Sequence, residues 1–147
     1  MNFRKSTRYA LYAAMEMARE EGSQVTAGQV AERYGIPGAV LAKVFQQLVR
    51  SGLAVGTRGA RGGYNLVRPA SKVTVLEVIE AFEARRAPER CLLAGEDDPS
   101  CSKLELCRLR RLFDEVDELA RNTYASVTLD TLVGTRPRQE LPLRIVR

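Results

Sequence analysis

Residues 26–71 decide the fold, and they read TAGQVAERYGIPGAVLAKVFQQLVRSGLAVGTRGARGGYNLVRPAS. Thr26 and Gln29 stand at the spacing of a capping box, which predicts a helix that begins after Thr26 and stops at Gly35. A second helix is predicted after the turn at residues 36–38, because apolar side chains recur there every three or four residues. Two short helices joined by a tight turn predict a helix-turn-helix.

The second predicted helix has an apolar face and a polar face. The apolar face consists of Val40, Leu41, Val44, Phe45, Leu48 and Val49. Off that face lie Lys43, Gln46, Gln47 and Arg50. A polar face of this kind is typical of a helix that reads DNA, although any small helical protein contains helical hairpins.

The glycine-rich stretch after these helices predicts a β-hairpin, with strands at residues 53–55 and 64–67 and a tip at 57–63. Glycines permit the backbone conformations that a tight tip requires, and Arg58 and Arg61 place cations on that tip. Directly after a helix-turn-helix, such a hairpin is the wing of a winged helix, which follows the DNA backbone or enters the minor groove. The alternative is a solvated hairpin that binds no ligand. The stretch RGARGGY lacks the ending of a phosphate loop, so no nucleotide site is expected.

The residues expected to contact DNA lie on the two helices and the hairpin. They are Thr26, Gln29, Ala39, Lys43, Gln46, Gln47, Arg50, Arg58, Arg61 and Tyr64. Residues 1–70 contain ten Lys/Arg and four Asp/Glu, whereas residues 71–147 contain thirteen and fourteen. The positive charge of the first half favours a polyanionic partner, and a solubilising excess of surface charge explains it equally well.

Composition and length indicate one globular domain with an appended element. The 147 residues are 45% hydrophobic and 28% charged. No apolar run approaches the roughly 20 residues of a membrane span. The N-terminal stretch carries Glu16, Glu20 and Glu21 and lacks the apolar core of a secretory signal. A cytoplasmic protein with reduced thiols is therefore expected.

A long helix is predicted from Ser102, because an apolar stripe continues for more than five turns. A small domain cannot cover so long a stripe, so we expect it to pair with the same helix of a second subunit. The residues expected at this dimer interface are Leu109, Leu112, Phe113, Val116, Leu119, Ala120, Thr123 and Val127. The alternative is a helix that folds back on its own domain.

Shorter helices complete the prediction. Ser6 or Thr7 is expected to cap a helix that runs through Ala18, and Thr74 and Glu77 form a second capping box. Residues 128–133 are expected to form one further capped turn. The predicted fold is mainly α with a small β-hairpin. The predicted organisation is a winged helix-turn-helix domain at 1–84, a cysteine-containing loop at 85–107, a dimerisation helix region at 103–133 and an irregular basic tail at 134–147.

All three cysteines lie within seventeen residues, at Cys91, Cys101 and Cys107, and the chain has no histidine. The spacing matches no CxxC knuckle, CxxC redox pair or ferredoxin run. Without histidine, a Cys–His catalytic pair is excluded, and no other nucleophile–base set is evident, so an enzyme is not expected. A metal or cluster bound by thiolates, a thiol–disulfide switch and inert thiols remain open.

The order of these parts resembles the IscR/NsrR-type family of dimeric winged-helix transcription regulators of bacteria. The stretches that carry the resemblance are RKSTRYALYAAMEMA, TRGARGGYNLVRPAS, TVLEVIEAFE, the three cysteines and a long helix ending in SVTLDTLV. The resemblance covers residues 1 to about 133. It implies that Cys91, Cys101 and Cys107 hold an iron–sulfur cluster, of the 2Fe–2S or 4Fe–4S type, whose state changes the affinity for DNA.

The chain departs from that family at its other cluster ligands. Arg110 stands where some members have a ligating histidine, and Arg8 stands where others have a carboxylate of the partner subunit. The acidic residue that helps some members to choose their sites is also absent near Ala42. The resemblance implies a homodimeric regulator, a repressor, that senses iron, nitric oxide or redox state. A cluster-free thiol switch on the same fold and a protein-interaction module are the alternatives.

Overall fold

The computed structural model describes residues 3–59, 62–83 and 108–134. In that part of the chain it is mainly helical with one two-stranded antiparallel sheet, which confirms the predicted fold class. The helices and strands, in chain order, are α1 Lys5–Arg19, α2 Ala27–Tyr34, α3 Gly38–Arg50, β1 Ala54–Thr57, β2 Gly63–Leu66, a 3-10 turn at Ala70–Lys72, α4 Val75–Glu80, α5 Arg108–Ser126 and α6 Leu129–Val133. None of the described helices is both long and apolar enough to span a membrane.

The helix-turn-helix has the capping that the sequence predicts. The Thr26 hydroxyl accepts the N–H of Gln29 at 3.2 Å, and the Gln29 side-chain oxygen accepts the N–H of Thr26 at 2.8 Å. Gly35 ends α2 in the left-handed region, with φ of 63°. These local interactions satisfy helix-end groups and so fix where α2 begins and ends.

The expected cap of α1 is wrong. The helix begins at Lys5, and Thr7 is fully buried inside it instead of capping it. The Thr7 hydroxyl donates to Glu83 Oε1 at 2.5 Å, and the same oxygen accepts the N–H of Arg4 at 2.9 Å. A carboxylate from a distant part of the chain therefore satisfies the start of α1, which local sequence could not reveal.

Helix α3 buries four of the six residues expected on its apolar face: Leu41, Val44, Phe45 and Leu48. Val40 and Val49 were expected there too, but each is 38% exposed. They lie nine residues apart, which is about two and a half turns, and so they flank the buried face on opposite sides. The outward face of α3 is consequently wider than the sequence suggests.

The hairpin pairs Ala54 with Leu66 and Thr57 with Gly63, close to the predicted strands. Val25 and Tyr64 also exchange main-chain hydrogen bonds, of 3.0 and 2.8 Å, just before α2. The Tyr64 ring stacks on the buried Phe45 of α3, with centroids 4.4 Å apart. Together these contacts fix the hairpin against both helices of the helix-turn-helix.

After α5 the chain returns to the core of the first domain. The N–H of Val75 donates to the carbonyl of Val127 at 2.8 Å, and the N–H of Leu129 donates to the carbonyl of Val73 at 2.9 Å. Thr128 caps α6, as predicted, and the Leu129 side chain is fully buried in the main hydrophobic cluster. The end of the long helix is thus built into the domain that carries the helix-turn-helix.

Candidate nucleic-acid interface

An open cleft of about 640 Å³ lies between the start of α2, the second half of α3 and the hairpin. It is lined by Thr26, Ala27, Gln46, Val49, Arg50, Gly56, Thr57, Arg58, Gly59, Gly62, Gly63 and Tyr64. These residues come from three separate parts of the sequence, and the fold brings them together through the Val25–Tyr64 and Phe45–Tyr64 contacts.

The cleft carries positive charge. Arg50 and Arg58 are exposed along it, and no acidic residue is among its described lining residues. The N-terminal end of α2 also opens onto it, and its main-chain N–H groups and helix dipole favour an anion there. The described surface therefore suits a phosphate backbone.

Backbone geometry explains the glycines at the tip of the hairpin. A Cβ at Gly62 would lie 2.4 Å from the carbonyl oxygen of Thr57, closer than two such atoms can approach. Gly59 has φ of 124°, a conformation that side chains disfavour. The backbone of the turn therefore favours glycine at both positions.

Five of the predicted DNA-contact residues line this cleft together: Thr26, Gln46, Arg50, Arg58 and Tyr64. Ala39 and Lys43 are exposed on the remainder of α3. Gln29 is exposed, but its side-chain oxygen is bound in the capping box. Arg61 lies outside the described residues. For each of these side chains, contact with DNA stays a prediction.

Two neighbouring glutamines on α3 differ in their surroundings. Gln46 is exposed and lines the cleft, whereas the Gln47 side chain donates from Nε2 to the carbonyl oxygen of Ala81 at 3.0 Å. This bond is partly buried, and it ties α3 to the end of α4. The structure therefore does not bring Gln47 to the cleft.

Arg68, a further cation at the end of the hairpin, is paired with an acidic residue of α4. Arg68 Nη2 lies 2.6 Å from Glu77 Oε1. Burial raises the pKa of Glu77, but hydrogen bonds from Thr74 and Arg68 outweigh it and hold that pKa below its ordinary value. Arg68 thus supports the end of the hairpin against α4.

A buried carboxylate joins α1 to α2, a contact that periodicity and spacing did not predict. Glu16 is 4% exposed and accepts hydrogen bonds from Arg19, from Arg33 and, at 2.6 Å, from the hydroxyl of Tyr34. Burial raises the pKa of Glu16, but the bonds from Tyr34, Arg33 and Arg19 together hold it below the ordinary value. An acid at a buried position of an amphipathic helix is the one signal that could have indicated this network.

The apolar stripe of α5 is open in the single chain. The four large apolar side chains along it are 45–67% exposed, namely Leu112, Phe113, Val116 and Leu119. Helix α5 packs beside α4 through other residues, including Arg121, whose Nη2 lies 2.5 Å from Glu80 Oε1. Ala120 and Val127 are half-buried, and the side chain of Leu109 lies outside the described residues.

The cysteines Cys91, Cys101 and Cys107 lie outside the described residues, as does the tail from residue 135 onward. Within the described ranges no group of three or more metal-ligating side chains occurs. The predicted domain boundaries, including the start of the long helix before Arg108, stay predictions.

The model of the family Rrf2, described as "Iron-dependent Transcriptional regulator", matches residues 3–135. BadM of Rhodopseudomonas palustris is 35% identical over 133 residues, which cover 90% of this chain and 81% of BadM. The HTH-type transcriptional regulator IscR of Klebsiella pneumoniae is 30% identical over 92% of this chain and 82% of IscR. Relatives of this kind are regulators, which confirms the expectation that the protein is not an enzyme.

Two solved structures have the same fold. The oxidized form of Staphylococcus aureus CymR superposes with a TM-score of 0.71 at 23% identity, over 91% of this chain and 97% of CymR. T. potens IscR superposes with a TM-score of 0.70 at 21% identity, over 90% and 86% of the two chains. With a family match over nearly its whole length and the same winged-helix fold, the chain belongs to the Rrf2 family of transcriptional regulators.

Proposed function

We propose that the protein is a cytoplasmic homodimer that binds an operator in double-stranded DNA and represses transcription. The observation that carries this proposal is the positive cleft between α2, α3 and the hairpin. A winged helix binds DNA by placing the outward face of the second helix of its helix-turn-helix, here α3, in the major groove and its wing along the backbone. The outward face of α3 and the cations of the cleft suit these two tasks.

The residues divide between the two tasks by their position. Ala39, Lys43 and Gln46 lie exposed on α3, where an amide or ammonium group can meet base edges and a methyl group can meet thymine. Arg50 and Arg58 lie along the cleft, where they can neutralise phosphates. The first group would then set sequence preference and the second would set affinity.

Pairing of two α5 helices completes the proposed regulator. The stripe of α5 is apolar except for Thr123. The Thr123 hydroxyl donates to the carbonyl of Leu119 at 2.9 Å, so this hydroxyl is satisfied within the helix. Burying the stripe against a second copy removes about half of each large side chain's surface from water. Two reading heads then address two half-sites.

The donor set of the cysteine segment fits an iron–sulfur cluster in its chemistry. Three thiolates are the ligands that such clusters prefer, and the fourth ligand is unassigned because Arg110 and Arg8 stand at the positions of the family's other ligands. A bound cluster supplies sensitivity to iron, nitric oxide and redox state. The relatives named IscR support this cofactor, and the same three thiols suit the alternative, a cluster-free thiol–disulfide switch.

DNA binding is tested by fluorescence anisotropy with genomic DNA fragments over a range of salt concentrations. Arg50→Gln and Arg58→Gln should each weaken binding and lower the slope of log affinity against log salt by about one. Lys72→Gln removes an exposed cation on the 3-10 turn, away from the cleft, and serves as the control. Unchanged affinity and slope in both arginine variants would refute the cleft as the phosphate site.

The cofactor is tested by anaerobic purification, with an absorbance spectrum and iron and sulfide analysis. A brown protein with stoichiometric iron and sulfide, both lost in Cys101→Ala, supports the cluster. A colourless protein whose non-reduced peptides contain a disulfide under oxidant supports the thiol switch instead. A colourless protein whose DNA affinity is the same in Cys101→Ala, with or without oxidant, would refute both.

A further inference from the structure

Three separate helices are tied to four consecutive residues at the end of α4, residues 80–83, here called the α4 junction. The Glu80 carboxylate binds Arg121 of α5 at 2.5 Å. The Ala81 carbonyl accepts the side-chain N–H of Gln47 from α3 at 3.0 Å. The Glu83 carboxylate accepts the hydroxyl of Thr7 and the N–H of Arg4 at the start of α1.

Helices α4 and α5 behave as one body because main-chain bonds join their ends. Val75 starts α4 and donates to the carbonyl of Val127, one residue beyond the end of α5. The N–H of Leu129 donates to the carbonyl of Val73 and is a second main-chain link at the same place, and these two bonds together form the bridge between Thr74 and Thr128. Arg121 then holds α5 to the other end of α4, so the two helices are fixed to each other at both ends of α4.

The α3 side of this connection depends on Gln47. Its amide is held in a partly buried bond to a main-chain carbonyl, and a carbonyl cannot move independently of its helix. Gln46 lies on the outward face of α3 and lines the cleft. Gln47 is the next residue and projects from a different side of the helix, so it can hold α3 while Gln46 faces the cleft. This bond is therefore a direct link between the helix that faces DNA and the α4–α5 body.

We propose that Gln47 is a positioning residue, and that the α4 junction fixes the orientation of α3 relative to α5. This inference rests on the proposed function. With α5 paired to a second copy, the junction sets the distance between two α3 helices and hence the half-site spacing that the dimer accepts. In sequence, seven residues separate the junction from Cys91, the first of the three cysteines.

The first test compares Gln47→Met, which keeps the length of the side chain and removes its donor, with Gln47→Lys, which supplies an N–H donor again. Each is titrated with DNA containing two half-sites and with DNA containing one. Gln47→Met should weaken binding to two half-sites about fivefold, as expected for one hydrogen bond, leave single-site binding unchanged and accept a wider range of spacings. Gln47→Lys should restore the spacing preference.

A second test does not need DNA. The side-chain amide resonance of Gln47 is followed by NMR in Arg121→Gln, with Arg111→Gln on the exposed part of α5 as the matched control. Arg121→Gln should shift that resonance and the control should not. If neither the wild type nor any variant binds DNA, the proposed function is refuted. The NMR measurement then tests by itself whether the α4 junction connects α5 to α3.

Two results would overturn the inference. Equal weakening on one and two half-sites in Gln47→Met would make Gln47 an ordinary DNA contact. An unchanged Gln47 resonance in Arg121→Gln, together with an unchanged spacing preference in Gln47→Met, would show that the junction transmits nothing between α5 and α3.

Discussion

Glu16→Gln should destabilise the protein although it changes only one atom of a side chain. Glu16 is 4% exposed and accepts bonds from Arg19, Arg33 and Tyr34, so the variant loses a charge that three donors share. Breaking a fully buried ion pair costs about 3–5 kcal/mol. Arg19 and Arg33 are 38% and 56% exposed, and water compensates for part of their loss. We expect a loss of about 2 kcal/mol, mainly from Tyr34 and the buried carboxylate itself.

This loss should appear as a decrease in Tm of roughly 4–8 °C in thermal unfolding followed by circular dichroism. Glu32→Gln on the exposed side of α2 is the matched control and should change stability by less than about 0.5 kcal/mol. Because the folded pKa of Glu16 is lowered from its ordinary value of 4.5, its stabilisation is complete above that value and is lost as the pH falls through the folded pKa.

The difference between wild type and Glu16→Gln should therefore be constant at neutral pH and shrink below about pH 4.5. A difference that does not change with pH would refute the charge as the source of the stability. Equal losses in Glu16→Gln and Glu32→Gln would refute the network as a whole, since Glu16 accepts the bonds from Arg19, Arg33 and Tyr34 and Glu32 accepts none of them.

Three further substitutions test other parts of the structure. Gly62→Ala would bring a Cβ within 2.4 Å of the Thr57 carbonyl, so the hairpin tip must move; DNA affinity should fall while Tm stays nearly constant, and unchanged affinity would contradict this. Phe113→Asp places a charge on the open stripe of α5 and should yield monomers in sedimentation velocity; a persistent dimer would place the interface elsewhere. Leu129→Ala removes a fully buried side chain and should lower the free energy of unfolding by about 2–5 kcal/mol in chemical unfolding. A loss below about 1 kcal/mol would show that α6 contributes little to the core.

The helix-turn-helix could be predicted because its signals are local. Thr26 and Gln29 cap each other over three residues, and Gly35 ends α2 through its own backbone conformation. The start of α1 could not be predicted in this way. Its cap comes from Glu83, 79 residues away from Arg4. The nearby Ser6 and Thr7 have side chains that could cap a helix, but neither caps α1. Sequence patterns locate a helix reliably where its ends are satisfied by its own neighbours.

In the candidate site, too, contacts between distant parts of the chain distinguish residues that local sequence does not. Gln46 and Gln47 are chemically identical and both lie off the main apolar stripe, so spacing alone gave them the same predicted role. Their surroundings differ because the end of α4 approaches α3 on one flank only, and the Ala81 carbonyl lies 3.0 Å from the Gln47 amide nitrogen. The position of α4 is supported by the backbone bonds of Val75 to Val127 and of Leu129 to Val73, contacts between residues more than fifty positions apart. A polar helix face therefore predicts a surface for a partner, and only the packing of the other helices indicates which of its polar side chains remain available.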